Sequence, residues 1–177
     1  MPPIPPWNAI HPQIVHFPIA LLITAPLFVL LALILPSRRS AFATSALILM
    51  LLGTIGAVVA VESGEAGEDN AKRIPEAVST FHEHAELGER TRNVFIALTV
   101  VFGAVVLAGT KLSRHAVPMV YVAFLAMYLG GLTILVNTAH RGGLLVHHFG
   151  ARAPIPGAPA PALATPPDAE KPDGDGD

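Results

Sequence analysis

The stretch FPIALLITAPLFVLLALIL, residues 17–35, runs for 19 positions without Asp, Glu, Lys, Arg or His. A hydrocarbon core about 30 Å thick takes about 20 apolar residues of α-helix to cross. Three further runs of the same kind follow: residues 40–61 with 22 positions, 93–110 with 18 and 116–139 with 24. Lipid offers no water to a peptide group, so each run is expected to close its own hydrogen bonds as an α-helix. Four such helices in 177 residues leave too little chain to cover them in a water-soluble globule. The expected fold is all-α: a four-transmembrane-helix bundle with a polar outer loop and a disordered C-terminal tail.

Composition points the same way. The chain is 52% hydrophobic before glycine is counted and only 14% charged, with a mean hydropathy of +0.56. An average soluble domain has about 25% charged residues. Disorder of the whole chain is excluded, because it needs low hydrophobicity and high net charge. A nucleic-acid binder is excluded by a net charge of −2 and the lack of a basic stripe. With no cysteine there is no disulfide, thiolate nucleophile, sulfur-ligated metal or thioether-attached haem. No formal charge precedes Arg38, and Leu35-Pro36-Ser37-Arg38-Arg39 follows the first run directly. A cleaved signal peptide needs a basic start and a small-residue cleavage site, so the first run is expected to be a retained helix.

An even number of crossings places both termini on one side. The two loops on the other side, residues 36–39 and 111–115, carry Arg38, Arg39, Lys111 and Arg114 and no acid. Basic residues in short loops favour the cytoplasm. The termini and the middle loop are therefore expected outside, although Lys72, Arg73, Arg90, Arg92, Arg141 and Arg152 also lie there. Gly53, Gly56, Ala57, Ala60 and Gly64 form a stripe of small residues suited to close helix packing, and Gly103, Ala104, Ala108 and Gly109 offer a second. Pro18 and Pro26 should bend the first helix. No span contains an acidic or basic residue, which argues against an ion pump or coupled transporter. Residues 1–13 read as a Pro-rich unstructured start, 14–152 as the membrane domain, and 153–177 as a Pro/Ala-rich acidic tail.

The outer loop, residues 62–92, holds the remaining signals. Thr80 and Glu83 match a capping box, which would start the third helix near Phe81 and carry it about 45 Å to Thr110. Glu62, Glu65 and Asp69 would share one acidic face if the second helix continued outward, a continuation that Gly64 and Gly67 oppose. Seven of the eight histidines lie on the outer side: His11, His16, His82, His84, His140, His147 and His148. Three spans thus bring imidazoles to similar depth. Such a group can ligate haem iron in a bis-His arrangement, ligate another transition metal, sense pH, or simply cap helices and reach the interface. His82 and His84 sit near a positive helix N-terminus, which favours the neutral imidazole a metal requires. Arg90, Arg92 and Arg141 could pair with haem propionates. Enzyme signatures are missing. The run His82-Glu83-His84-Ala85-Glu86 is followed by Leu87 and is not His-Glu-x-x-His, no Glu-x-x-His pair is present, and Gly142-Gly143 reads as a helix break or a point of close backbone approach.

The run His11-Pro12-Gln13-Ile14-Val15-His16-Phe17-Pro18-Ile19-Ala20-Leu21-Leu22 resembles the opening signature of the membrane-protein family called domain of unknown function 2231. Three later pieces match in order: Glu62-Ser63-Gly64-Glu65, His84-Ala85-Glu86-Leu87-Gly88 and Gly142-Gly143-Leu144-Leu145-Val146-His147. Together they span nearly all of the chain before the tail. The resemblance implies a four-helix bacterial membrane protein, and similar proteins occur beside or fused to redox and cytochrome-like modules. It makes His16 and His84 the first candidate ligands, with His11 and His140 next for haem and His82 and His140 next for a bare metal. The leading reading is therefore a lipid-embedded subunit holding b-type haem or a redox metal for electron transfer, with no catalytic activity of its own and with a redox protein or membrane complex as partner. It is compatible with an oligomer. A cofactor-free accessory protein that binds its partner through the acidic outer loop is the alternative, and a proton-sensitive switch is the third.

Single cysteines in this cysteine-free chain test the arrangement. In intact cells, Ser37→Cys and Ser113→Cys are expected to be shielded from a membrane-impermeant thiol reagent, while Ser79→Cys reacts. Labelling of Ser37→Cys and Ser113→Cys from opposite sides would refute four crossings.

Overall fold

The computed structural model describes residues 7–66, 74–109 and 113–151. It contains α1 (His11–Ile14), α2 (His16–Ile34), α3 (Arg39–Glu65), α4 (Val78–Ala108) and α5 (Ala116–His147), with 3-10 turns at Trp7–Ala9, Pro36–Arg38 and Pro75–Ala77. There is no strand among the described residues. Helices α1 and α2 form one apolar rod with a break at Val15. Pro18 has no N–H to offer the Ile14 carbonyl, so the ladder loses a rung there. Val15 itself keeps helical angles, φ −57° and ψ −30°. The four rods His11–Ile34, Pro36–Glu65, Pro75–Ala108 and Ala116–His147 are each long and apolar enough to cross a membrane, as the charge-free runs require.

The helices close into a ring: α2 packs along α3, α3 along α4, α4 along α5, and α5 returns to α2. Leu22, Val29, Met50, Phe95, Phe102, Phe124 and Tyr128 are among the side chains that fill its centre. The aromatic rings form a chain along it, with centroids 4.6 Å apart for Phe102 and Phe124, 5.8 Å for Phe124 and Tyr128, and 5.4 Å for Phe95 and Tyr128. The outside is as oily as the inside. Leu107 is 81% exposed and Met119 73%, which only a hydrocarbon solvent tolerates on this scale.

Prolines in such helices strand carbonyls, and the tertiary structure supplies replacement donors. Pro26 lies inside α2 and cannot donate to the Leu22 oxygen four residues earlier. The buried Tyr128 hydroxyl of α5 donates to that oxygen at 2.8 Å. Pro36 likewise deserts the Ala32 oxygen, and Arg39 Nε donates to it at 3.2 Å. Neighbouring groups that re-satisfy the backbone are what make proline tolerable in a membrane helix.

Several sequence expectations are revised. Helical structure begins at Trp7–Ala9 and α1, within residues expected to be unstructured, because proline suits the first helical turn and Pro12 occupies it. Helix α4 starts at Val78, not near Phe81, and Ala77 at its N-cap makes no side-chain cap bond. The Thr80–Glu83 capping box therefore does not form; the turn begun by Pro75 leads into the helix earlier. Helix α3 continues through Gly64, and α5 continues through Gly142 and Gly143 to His147. The small stripe on α3 is buried at Gly53, Gly56, Ala57 and Ala60, and a Cβ on Gly53 would meet Leu22 at 2.8 Å. In the proposed stripe on α4, Gly103 faces Leu47 of α3, which a Cβ would meet at 3.8 Å, whereas Ala104 and Gly109 are exposed. Close contact of α4 with α5 uses Gly131 instead, where a Cβ would meet Leu98 at 2.9 Å. Residues 1–6, Gly67, Asp69, Lys72, Arg73, Lys111, Arg152 and the tail at 153–177 lie outside the described residues.

Tyr128→Phe is expected to lower the unfolding free energy by about 1–2 kcal/mol, the cost of a buried acceptor left without its donor. In a Pro26→Ala background position 26 regains an N–H, so that penalty should fall by about half or more. Reversible unfolding in mixed micelles measures both; equal penalties in the two backgrounds would overturn the assignment.

Candidate functional site: a histidine pair across the bundle

His11 opens α1 and leans on α3. Its Nδ1–H donates to the Ala60 carbonyl at 2.8 Å. The hydroxyl of the fully buried Ser63 donates to the same oxygen at 3.0 Å and lies 3.4 Å from that nitrogen. His84, in the second turn of α4, leans on α5 in the same way, with Nδ1–H donating to the Thr138 carbonyl at 2.9 Å. Beneath it Thr91 and Thr138 join their hydroxyls at 2.8 Å, and Thr138 is also within 3.1 Å of the Leu87 oxygen. The two half-buried rings then meet, centroids 6.1 Å apart and planes at 83°. Each half of the bundle contributes one imidazole.

The hydrogen bonds fix the chemistry of these rings. A carbonyl oxygen can only accept, so Nδ1 carries the proton, and in the neutral ring the lone pair is on Nε2. Two positive charges 6.1 Å apart would repel by about 3 kcal/mol at an effective dielectric of about 20. The site thus favours neutral, lone-pair-bearing imidazoles over a doubly protonated pair.

Ion pairs surround it. Arg141 of α5 reaches Glu83 of α4 at 3.0 Å, Arg92 lies 4.0 Å from Glu62 of α3, and Arg90 pairs with Glu86 one turn before it. These are the three arginines that the sequence offered to haem propionates, and each has a carboxylate partner. Exposed pairs of this kind contribute about 0–1 kcal/mol each.

The other histidines lie elsewhere. His16 is exposed, and its Nδ1–H donates to the Pro12 oxygen of its own chain segment at 3.1 Å. His82 is exposed beside Phe81, on an open groove lined also by Glu65, Ala85 and Glu89. His140, His147 and His148 are exposed. Among the described residues no three or more His, Cys, Asp or Glu gather as a metal centre; two imidazoles do meet, and the partner of His84 is His11 rather than His16. Helical rotation explains this. At about 100° per residue, His16 is turned about 140° from His11, and His82 about 160° from His84. Sequence reasoning missed Ala60 and Thr138, whose only contribution is a backbone oxygen, and Ser63 and Thr91.

His11→Ala and His84→Ala are each expected to cost about 1–3 kcal/mol of stability, since each removes a partly buried hydrogen bond and ring packing. His16→Ala and His140→Ala should stay within about 0.5 kcal/mol. Unfolding in detergent checks this, and additive costs in the His11→Ala/His84→Ala double variant would contradict contact between the rings.

The four segments that carried the sequence resemblance supply this site: His11 from the first, Ser63 from the second, His84 from the third, and from the fourth Gly142, whose Cβ, if present, would touch the His84 ring. No curated protein and no solved structure matches the chain. A family model described as a predicted membrane protein, domain of unknown function 2231, matches residues 8–153, and the chain belongs to that family.

Proposed function

We propose that this membrane protein holds a redox-active metal, as b-type haem or as a bound transition-metal ion, between His11 and His84, and passes electrons at the end of the bundle where its polar loop lies. The observation that carries the reading is the pair itself: two imidazoles from different helices, each tied by Nδ1–H to a backbone carbonyl. Metal-ligating histidines nearly always donate their other N–H to such a partner. The spacing fits. Metal–nitrogen bonds of about 2 Å, with about 1 Å from nitrogen to ring centre on each side, give ring centres about 6 Å apart, against 6.1 Å here. Iron or copper so held would supply one-electron exchange. The protein's part is to hold the two rings neutral, oriented and partly shielded from water. The ligand pair in this reading is His11 with His84; His16, His82 and His140 are left as surface groups. The membrane would be the bacterial inner membrane with the loop end outward, where a soluble redox protein or a larger membrane complex can reach it.

The cofactor-free alternative draws on the same contacts. The bonds of His11 to Ala60 and of His84 to Thr138 join α1 to α3 and α4 to α5 without any ligand, and in an accessory subunit their role is to clamp the helices.

An absorption spectrum with metal analysis of detergent-purified protein separates the two. The redox reading expects a Soret band, or about one equivalent of copper or iron, reduced at least tenfold in His11→Ala and His84→Ala and retained in His16→Ala and His140→Ala. Folded protein free of metal and colour after expression with haem precursor, iron and copper would sink that reading and leave the clamp.

A further inference from the structure

The two histidines are seated by one device used twice. His11 bonds the Ala60 oxygen and lies against Gly64, four residues on. His84 bonds the Thr138 oxygen and lies against Gly142, again four residues on. The repeat has a geometric cause. In an α-helix the carbonyl of residue i points along the axis toward residue i+4, so a side chain arriving from a neighbouring helix must pass the Cβ of residue i+4 to reach that oxygen. At these two positions there is no Cβ. One built on Gly142 would lie 2.9 Å from Cε1 of His84 and 3.4 Å from its Nδ1; on Gly64 it would lie 3.0 Å from Cε1 of His11 and 3.1 Å from its Nδ1. The contacts with Cε1 of both rings and with Nδ1 of His11 are shorter than ordinary van der Waals contact. The atom that would be struck belongs to the ring, the freest part of the contact, so the ring would yield before either helix moved.

We propose that Gly64 and Gly142 are positioning residues that select the tautomer of the histidine pair. By opening the route to a backbone oxygen they hold each ring as Nδ1–H and leave Nε2 bare for a ligand. The function of that bare nitrogen rests on the redox reading above; the selection of the tautomer does not. Gly143 provides an internal control, because a Cβ added there meets nothing within 4 Å and the helix continues through both positions.

The test is nitrogen-15 NMR of histidine-labelled protein in detergent micelles, without added metal or haem, at about pH 8, above the ordinary imidazole range. In the wild type the rings of His11 and His84 should be protonated on Nδ1, their signals assigned by loss in His11→Ala and His84→Ala and told apart from that of His16, which bonds Pro12 within its own segment, by loss of the latter in His16→Ala. Gly142→Ala should move the proton of His84 to Nε2 in at least half of the molecules, and Gly64→Ala should do the same to His11. Gly143→Ala should leave both rings as they are. A wild type with Nε2–H on both rings, or a folded Gly142→Ala protein whose His84 keeps Nδ1–H, would overturn the proposal. If Gly142→Ala fails to fold, Gly64→Ala gives the same decision at His11. Should the tautomers respond as stated while the protein binds no metal or haem, the redox reading falls and the tautomer selection stands. Should the protein bind a cofactor while Gly142→Ala leaves the His84 tautomer unchanged, the reverse holds.

Discussion

A peptide carbonyl in hydrocarbon must find its hydrogen-bond donor within the protein, and this constraint organises the whole molecule. It makes every span a helix. It also gives the prolines their cost, since a proline at position i+4 leaves the oxygen at position i without its usual donor. The Leu22 and Ala32 oxygens are both in that state, and Tyr128 and Arg39 answer them. Each answer ties α2 to another part of the chain, so a local backbone defect becomes a tertiary link. Tyr128 gains a second role by this: it stacks in the aromatic chain of the core while fixing the height of α5 against α2.

At the loop end the same chemistry appears with a different donor. The Ala60 and Thr138 oxygens lie within intact helices, yet each accepts an imidazole N–H from a neighbouring element. A carbonyl has two lone pairs, so this second bond need not break the ladder. The outcome is a pair of rings whose orientation is set by rigid helices on both sides. Groups held in this way are suited to a task that needs fixed lone pairs, and less suited to a flexible surface. The ion pair of Glu83 with Arg141 joins the same two helices as the His84 bond, and that of Glu62 with Arg92 joins α3 to α4.

How much of this could be read from the residues varies with the kind of interaction. The four crossings were legible because charge-free length is a property of the chain alone. The packing stripe on α3 was legible for the same reason, as small residues at four-residue spacing have few other uses. The stripe on α4 was legible only in part, because Gly103 faces Leu47 of α3 while Ala104 and Gly109 are exposed, and the small residue that receives α4 against α5 is Gly131. The capping box at Thr80 and Glu83 failed because Pro75 had already begun the turn upstream. Of the five candidate ligands, His11 and His84 come together, while His16, His82 and His140 lie on other faces of their helices.

The sequence by itself therefore determined that the chain is a membrane bundle of four helices, since charge-free hydrophobic length requires it. Only the tertiary structure decided which imidazoles meet. That choice depends on the rotation of each helix about its axis and on the approach of a side chain to a backbone oxygen. Neither is written in the residue type of the acceptor, because a carbonyl is common to every residue, Ala60 and Thr138 included.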